Sequence, residues 1–248
     1  MIVIVFPGQG SQTPGFLTPW LELPEFAMSL AAMQEASGID LTGHGTVSDA
    51  DTIRDTAVAQ PLIVAAGVAS LAPLLGGKSL AEAGVAGTAG HSVGEIAAAT
   101  AAGVFSAEQG IRFVAERGRA MAEAAALEVT SMAAVLGGEQ AVVEQALAEL
   151  ELEPANYNGG GQIVAAGSAA GIAKLQETPP AGARVIPLQV AGAFHTRYMA
   201  PAREKLSAYA ADIDVANPQV KLWSNNGGAL VDSGARYLEL LISQVASP

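Results

Sequence analysis

Apolar positions in this chain occur in two patterns: short uninterrupted runs bounded by glycine, and longer stretches at helical spacing. Ile2 to Phe6 is an unbroken apolar run ending at Pro7, which predicts a strand of the kind buried in a parallel sheet, followed by the loop Pro7-Gly8-Gln9-Gly10-Ser11-Gln12. Val58 to Leu75 is largely apolar and predicts a core helix, with Pro61 near its start, where proline is tolerated. Val85 to Ala89 predicts a second buried strand, and Glu95 to Ala102 a helix made almost wholly of small residues. Strand, helix, strand, helix in this order implies an α/β protein with a parallel core.

The middle of the chain has a different rhythm. Ser131 to Leu136 predicts a strand, Glu139 to Leu150 an amphipathic helix, Ala155 to Asn158 and Gln162 to Ala166 two strands about the Gly159-Gly160-Gly161 turn, Ala169 to Glu177 a helix, and Arg184 to Val190 a strand. That is a βαββαβ order, the ferredoxin-like plan. The expected organisation is a catalytic core over 1–125 and 193–248 with a small ferredoxin-like subdomain inserted at 126–192. The core resumes with a helix from Pro201 to Ala211, a strand at Lys221 to Ser224 and a helix from Arg236 to Val245.

Composition narrows the class. With 248 residues and 50% hydrophobic content, the chain can bury a large core. No uninterrupted apolar span reaches membrane length and the first residues lack a signal-peptide pattern, so the expectation is a soluble cytoplasmic protein with no membrane partner. The absence of cysteine removes disulfides, thiolate metal sites and a Cys nucleophile together. Twelve Lys and Arg against 24 Asp and Glu give a formal charge of −12, which argues against nucleic acid as a partner. Any anionic ligand must use a local basic site.

Chemistry enters at Gly90-His91-Ser92-Val93-Gly94, a GxSxG turn between a strand run and a helix run. This is the setting of a nucleophile elbow, which makes Ser92 a candidate nucleophile in an α/β-hydrolase-like core. Flanking glycines let the backbone cross itself closely, and the following helix points its N-terminal amides at the reacting centre. In a chain with 28 glycines the motif also arises by chance as an ordinary tight turn.

A serine needs a base, and the chain has three histidines. His44 reads as a solvated loop residue in Gly43-His44-Gly45. His91 neighbours Ser92, but adjacent side chains at an elbow diverge, which suits packing or hydrogen bonding. His195, in Gly192-Ala193-Phe194-His195-Thr196, lies on a loop between the last subdomain strand and a core helix and is the preferred candidate. By spacing alone, a lone loop histidine is more often structural or solvated than catalytic.

Arg117 stands out on the helix Ser106 to Ala125, which begins with Ser106 as N-cap and Gln109 three residues on. Ile111, Val114, Gly118 and Met121 form an apolar stripe; Arg117 falls roughly 75° from its centre, Arg112 and Arg119 more than about 120° away. Arg117 alone therefore borders the core, either in an ion pair or as a planar partner for a carboxylate.

Taken together, GQGSQ at 8–12, GHSVGE at 90–95, Arg117, GAFHT at 192–196 and Gln244 resemble the malonyl-CoA:acyl-carrier-protein transacylases of bacterial fatty-acid synthesis, those of actinobacteria most closely, along the whole chain. The resemblance implies a malonyl-serine intermediate on Ser92 with His195 as base, and an oxyanion hole from the amides of Gln9 and Val93. It implies that Arg117 binds the malonyl carboxylate and that the main-chain carbonyl of Gln244 orients His195 in place of an acid. Val93 and Phe194 resemble residues that accompany malonyl in related acyltransferases, Phe194 filling the space of a branched acyl chain; either also reads as ordinary packing. The implied partners are malonyl-CoA as substrate and acyl carrier protein as acceptor, in fatty-acid or polyketide synthesis, with no metal or prosthetic cofactor. Candidate basic residues for an acidic carrier are Lys174, Arg184, Arg197, Arg203 and Lys205.

Rival readings remain at this level. Gly8-Gln9-Gly10-Ser11-Gln12-Thr13 matches the first two glycines of a dinucleotide-binding GxGxxG but has Thr13 in place of the third. A serine esterase or thioesterase shares the elbow. A noncatalytic carrier- or CoA-binding module is the other alternative, because the family continues past Ser247-Pro248 with further strand and helix.

Overall fold

The computed structural model of the chain describes residues 1–248. In chain order its strands are β1 (Ile2–Phe6), β2 (Val85–Gly90), β3 (Thr130–Gly137), β4 (Glu153–Gly159), β5 (Gln162–Ser168), β6 (Ala183–Pro187) and β7 (Lys221–Leu222). The helices are α1 (Pro24–Ser37), α2 (Leu41–Thr46), α3 (Ala50–Arg54), α4 (Thr56–Ala69), α5 (Leu71–Leu75), α6 (Gly94–Ala101), α7 (Ala107–Ala125), α8 (Gln140–Glu149), α9 (Ala169–Glu177), α10 (Ala200–Ala210) and α11 (Gly234–Gln244). Two compact units are present, Met1–Arg119 with Leu206–Ile242, and Ala120–Lys205 with Ser243–Pro248.

In the first unit a three-stranded sheet has the order β1-β2-β7, with both pairings parallel. Helix α6 packs on β2 and β1, and α4 packs on α6. The small residues of α6 allow this close packing: Glu95 through Ala99 are all buried, and Thr88 Oγ1 of β2 donates to the Ala98 carbonyl at 3.0 Å. As expected, β1 joins a parallel sheet, but the run is only partly buried: β1 lies at one end of the strand order, and Val5 is 72% exposed while Phe6 is buried. An apolar run alone does not distinguish a central strand from an edge strand.

Two further expectations are corrected here. Pro61 is inside α4, in its second turn, because the helix starts at Thr56 where the Asp55 carboxylate accepts the Ala57 N–H at 2.8 Å. The run Thr56–Leu75 is, by length and composition, apolar enough to cross a membrane. It behaves as a core element of this unit: Ala59 to Ala65 are all buried, and α4 packs on α1 and α6. The short helices α2 and α3, which no apolar period announced, begin at aspartate caps: Asp40 accepts the Gly43 N–H and Asp49 the Thr52 N–H, each at 2.9 Å.

The second unit holds a four-stranded antiparallel sheet of order β4-β5-β3-β6. Its βαββαβ connectivity and strand order are those of the ferredoxin-like plan. Ala133 and Val135 of β3, Ile163 and Ala165 of β5 and Val185 of β6 share one face, which Val143 and Leu147 of α8 and Ile172 and Leu175 of α9 cover. Alternation within each strand delivers one set of side chains to that layer.

Candidate active site

Ser92 occupies the turn between β2 and α6, with a φ of 50°. Left-handed backbone at a non-glycine residue costs roughly 1–2 kcal/mol, so the surroundings must hold it. They do so by close contact. A Cβ on Gly90 would lie 2.1 Å from the Gly94 carbonyl carbon, and one on Gly94 would lie 2.4 Å from the Phe6 carbonyl oxygen. The His91 N–H donates to that same Phe6 oxygen at 3.0 Å, tying the elbow to the end of β1. From Gly94 the chain is helical, with the Gly94 N–H on the His91 carbonyl and the Glu95 N–H on the Ser92 carbonyl. The amides opening α6 therefore face the elbow with their partial positive charge.

Around this turn the first unit places several of the expected residues. Val93 is the cap of α6, its side chain buried. Gln9 follows β1, and its Nε2 donates to Thr56 Oγ1 at 3.3 Å. Arg117 does more than border the core: it is 1% exposed, on the same helix as the fully buried Ile111, Phe113, Val114 and Met121. Helix α7 starts with the reciprocal cap expected of Ser106 and Gln109, each side chain accepting the other's N–H, at 2.9 and 3.1 Å. Arg112 and Arg119 point outward and pair with Glu108 and Glu116.

The Arg117 guanidinium is shared between two groups. Nη1 donates to Gln60 Oε1 at 2.6 Å, and Nη2 lies 3.5 Å from Ser92 Oγ. Burial pushes the Arg117 pKa down to about 10, with the Glu95 charge acting in the opposite sense, so it remains a cation at neutral pH. Burial raises the Glu95 carboxyl above its ordinary range, while the Asn225 N–H at 2.6 Å, the Tyr237 hydroxyl at 3.1 Å, Ser224 and Arg117 act to lower it. Burial and Glu95 together push the Tyr237 phenol upward.

Gln60, Glu95, Asn225 and Tyr237 are additions that sequence patterning did not single out. Glu95 and Gln60 carried a signal, a polar residue inside otherwise apolar or small-residue helices. Asn225 carried none, because Asn225-Asn226-Gly227-Gly228 reads as a turn.

The second unit contains the other candidates. His195 also has a left-handed backbone, φ 61°, and is buried. Its Nδ1 lies 2.7 Å from the Gln244 carbonyl oxygen. A carbonyl only accepts, so Nδ1 carries the proton and Nε2 of the neutral ring presents a lone pair. The loop bearing His195 is pinned: the Ala193 N–H donates to Thr130 Oγ1 at 2.9 Å, Thr196 Oγ1 to the Ala193 carbonyl at 2.6 Å, and the His195 N–H to the Val245 carbonyl at 3.2 Å. Phe194 is buried in the same loop.

The other histidines divide. His44 is not in a loop as expected but within α2, where Asp40 caps the turn and His44 Nδ1 meets Ser48 Oγ at 3.0 Å. His91 is exposed beside Gly8. No group of three or more His, Cys, Asp or Glu side chains is placed to hold a metal ion. Of the basic residues considered for carrier docking, Lys174, Arg197 and Lys205 are ion-paired with Glu177, Glu153 and Glu123.

Comparison with known proteins identifies the family. Residues 3–234 match the acyl transferase domain family. The malonyl CoA-acyl carrier protein transacylase of Mycobacterium tuberculosis is 50% identical over 248 residues, covering 100% of this chain and 82% of the relative. The crystal structure of MCAT from the same organism superposes with a TM-score of 0.95 at 49% identity, over 100% of this chain and 82% of that one. A type II PKS acyl-carrier protein in complex with its malonyl-transacylase matches with a TM-score of 0.89 at 29% identity, over 100% of this chain and 81% of that one. The chain, with its strained serine elbow and the buried arginine beside it, belongs to the acyl transferase domain family and, within it, to the malonyl CoA-acyl carrier protein transacylases.

Proposed function

We propose that this protein transfers the malonyl group of malonyl-CoA to the phosphopantetheine thiol of acyl carrier protein, through a malonyl ester on Ser92, and so supplies fatty-acid synthesis in the cytoplasm. The observation that carries the substrate assignment is the buried Arg117 guanidinium 3.5 Å from Ser92 Oγ. A thioester with a free terminal carboxylate can pair with the guanidinium there, whereas an acetyl group offers it no carboxylate.

In the first half-reaction Ser92 Oγ adds to the thioester carbonyl carbon while its proton passes to Nε2 of His195. The main-chain amides of Gln9 and Val93 hold the resulting oxyanion. Collapse breaks the carbon–sulfur bond, and the CoA sulfur leaves with the proton from His195. The carrier thiol then gives its proton to His195, attacks the ester carbonyl and expels Ser92 Oγ, which recovers the proton. What supports the base role of His195 is its tautomer, set by the Gln244 carbonyl. That carbonyl stabilises an imidazolium less than a carboxylate does, which suffices for an exchange between two thioesters that is nearly balanced in energy. Every step is carbonyl addition, elimination or proton transfer, so no metal or prosthetic group is invoked. Phe194 limits the room for branched acyl groups in this reading.

Intact-protein mass spectrometry after brief exposure to malonyl-CoA or acetyl-CoA, with Ser92→Ala as control, tests the proposal. A malonyl adduct is expected on the native protein alone, stable until carrier protein is added. Equal acetylation removes the carboxylate argument, and rapid loss of the adduct to water identifies a thioesterase.

A further inference from the structure

We propose that Asn225 is a positioning residue for the nucleophile, its side-chain amide continuing the β7 ladder past the end of the strand to clamp the strained turn at Ser92. The functional consequence rests on the reading of Ser92 as nucleophile given above; the clamp itself does not.

Strand β7 pairs with β2 in parallel, Gly87 with Lys221 and Thr88 with Leu222, and the next rung is the Trp223 N–H on the Thr88 carbonyl at 3.2 Å. A parallel ladder would continue with a peptide unit that donates to the Gly90 carbonyl and accepts from the Ser92 N–H. The main chain turns away here, and the Asn225 side chain supplies both contacts. Its Nδ2 donates to the Gly90 carbonyl at 2.7 Å and its Oδ1 accepts the Ser92 N–H at 2.7 Å. The partners are an obligate acceptor and an obligate donor, so the amide has one orientation.

The clamp is itself held. Glu95 Oε1 accepts the Asn225 main-chain N–H at 2.6 Å and the Tyr237 hydroxyl at 3.1 Å, and Tyr237 Oη also lies 3.2 Å from the Trp223 carbonyl oxygen. Glu95 follows the elbow on α6, so the first turn of that helix and the segment after β7 are fastened to each other at two points. The two bonded main-chain groups straddle His91 and end on the residue with φ of 50°. Without them the turn can relax toward ordinary backbone and carry Oγ off its line to the carbonyl carbon, and misplacement of about 1 Å is enough to cost ~100-fold in rate.

The test compares Asn225→Ala and Asn225→Asp with the native protein. Amide hydrogen exchange over Gly90–Gly94 reads the clamp with no substrate present, and single-turnover acylation by malonyl-CoA reads its consequence. A serine-directed fluorophosphonate supplies a second rate that does not depend on malonyl recognition. For Asn225→Ala the expectation is faster exchange at the Ser92 amide and at least ~10-fold slower acylation and phosphonylation, with apparent malonyl-CoA affinity changed by less than ~3-fold. Asn225→Asp keeps the shape and adds a pH signature: ionised, it accepts from Ser92 but repels the Gly90 carbonyl; protonated, it restores both bonds. Its acylation rate relative to the native protein should therefore rise as pH falls from 8 towards 5. Unchanged Ser92 exchange, rates within twofold of native, or an Asp variant whose pH profile parallels the native one overturns the proposal. If Asn225→Ala does not fold, the Asp variant decides. A native protein that reacts with the fluorophosphonate but not with malonyl-CoA rejects the malonyl reading and leaves the Asn225 result standing.

Discussion

The sheet of the second unit and the elbow of the first bury their side chains on different terms. Under α8 and α9 the buried layer is wholly aliphatic, from Ala133 and Val135 to Leu147, Leu175 and Val185. Around Ser92 the buried set includes Thr56, Gln60, Thr88, Glu95, Arg117 and Ser224 beside the apolar residues. Aliphatic burial is non-directional and contributes about 25 cal/mol per Å² wherever the surface goes. A buried guanidinium or carboxylate costs free energy unless each partner is in place. The sheet layer is what stability alone selects; the elbow keeps a cation and a strained serine that stability alone would discard.

Four substitutions sharpen or break that contrast, taken from the largest expected effect. Arg117→Ala should slow Ser92 acylation by malonyl-CoA by about 10²–10⁴-fold, the equivalent of the ~3–5 kcal/mol for stranding one member of a buried charge pair. Acetyl-CoA should change by only a few-fold in the same single-turnover assay, and equal losses refute a carboxylate-reading role. Leu147→Ala is the opposite case: urea unfolding should show a loss of ~2–4 kcal/mol, while the folded fraction acylates at the native rate. If the acylation rate per folded molecule fell as well, the separation between the two regions would fail.

Gln60→Ala keeps the cation and removes its Nη1 acceptor, which should cost malonyl acylation about tenfold, in line with ~1–3 kcal/mol for a lost hydrogen bond to a charged group. Malonyl-over-acetyl preference measured by competition checks it, and an unchanged preference would show that packing alone aims Arg117. Glu95→Gln gives the smallest signal, one of pH. The folded Glu95 pKa is raised, so the unfolded chain releases this proton at lower pH than the folded one. Stability therefore falls as pH rises from the ordinary glutamate range through the raised value. Melting temperatures from pH 4 to 8 should show the native protein losing ground relative to Glu95→Gln, and parallel curves would mean that burial of the carboxylate is fully compensated.

Much of this was legible without coordinates where short-range rules apply. The βαββαβ order, the caps at Ser106 and Gln109, and the glycines flanking Ser92 are consequences of period, capping chemistry and the space a β-carbon occupies. Other features were not legible because they depend on the neighbour an element acquires. His44 looks like loop until Asp40 closes a turn beneath it. Arg117 lay beside the apolar stripe on a helical wheel; a wheel holds one helix and cannot show the Gln60 acceptor that α4 brings to its guanidinium.

The amino-acid sequence by itself determined that a serine would be presented on a tight turn between a buried strand and a small-residue helix, because Gly90 and Gly94 are local necessities of that backbone. Only the tertiary structure decided what surrounds it: the guanidinium 3.5 Å from Oγ, the Gln60 acceptor, and the Asn225 amide across the turn. Those partners are 25, 32 and 133 positions from Ser92 along the chain. Directional contacts over such separations exist only once packing has fixed where each side chain points.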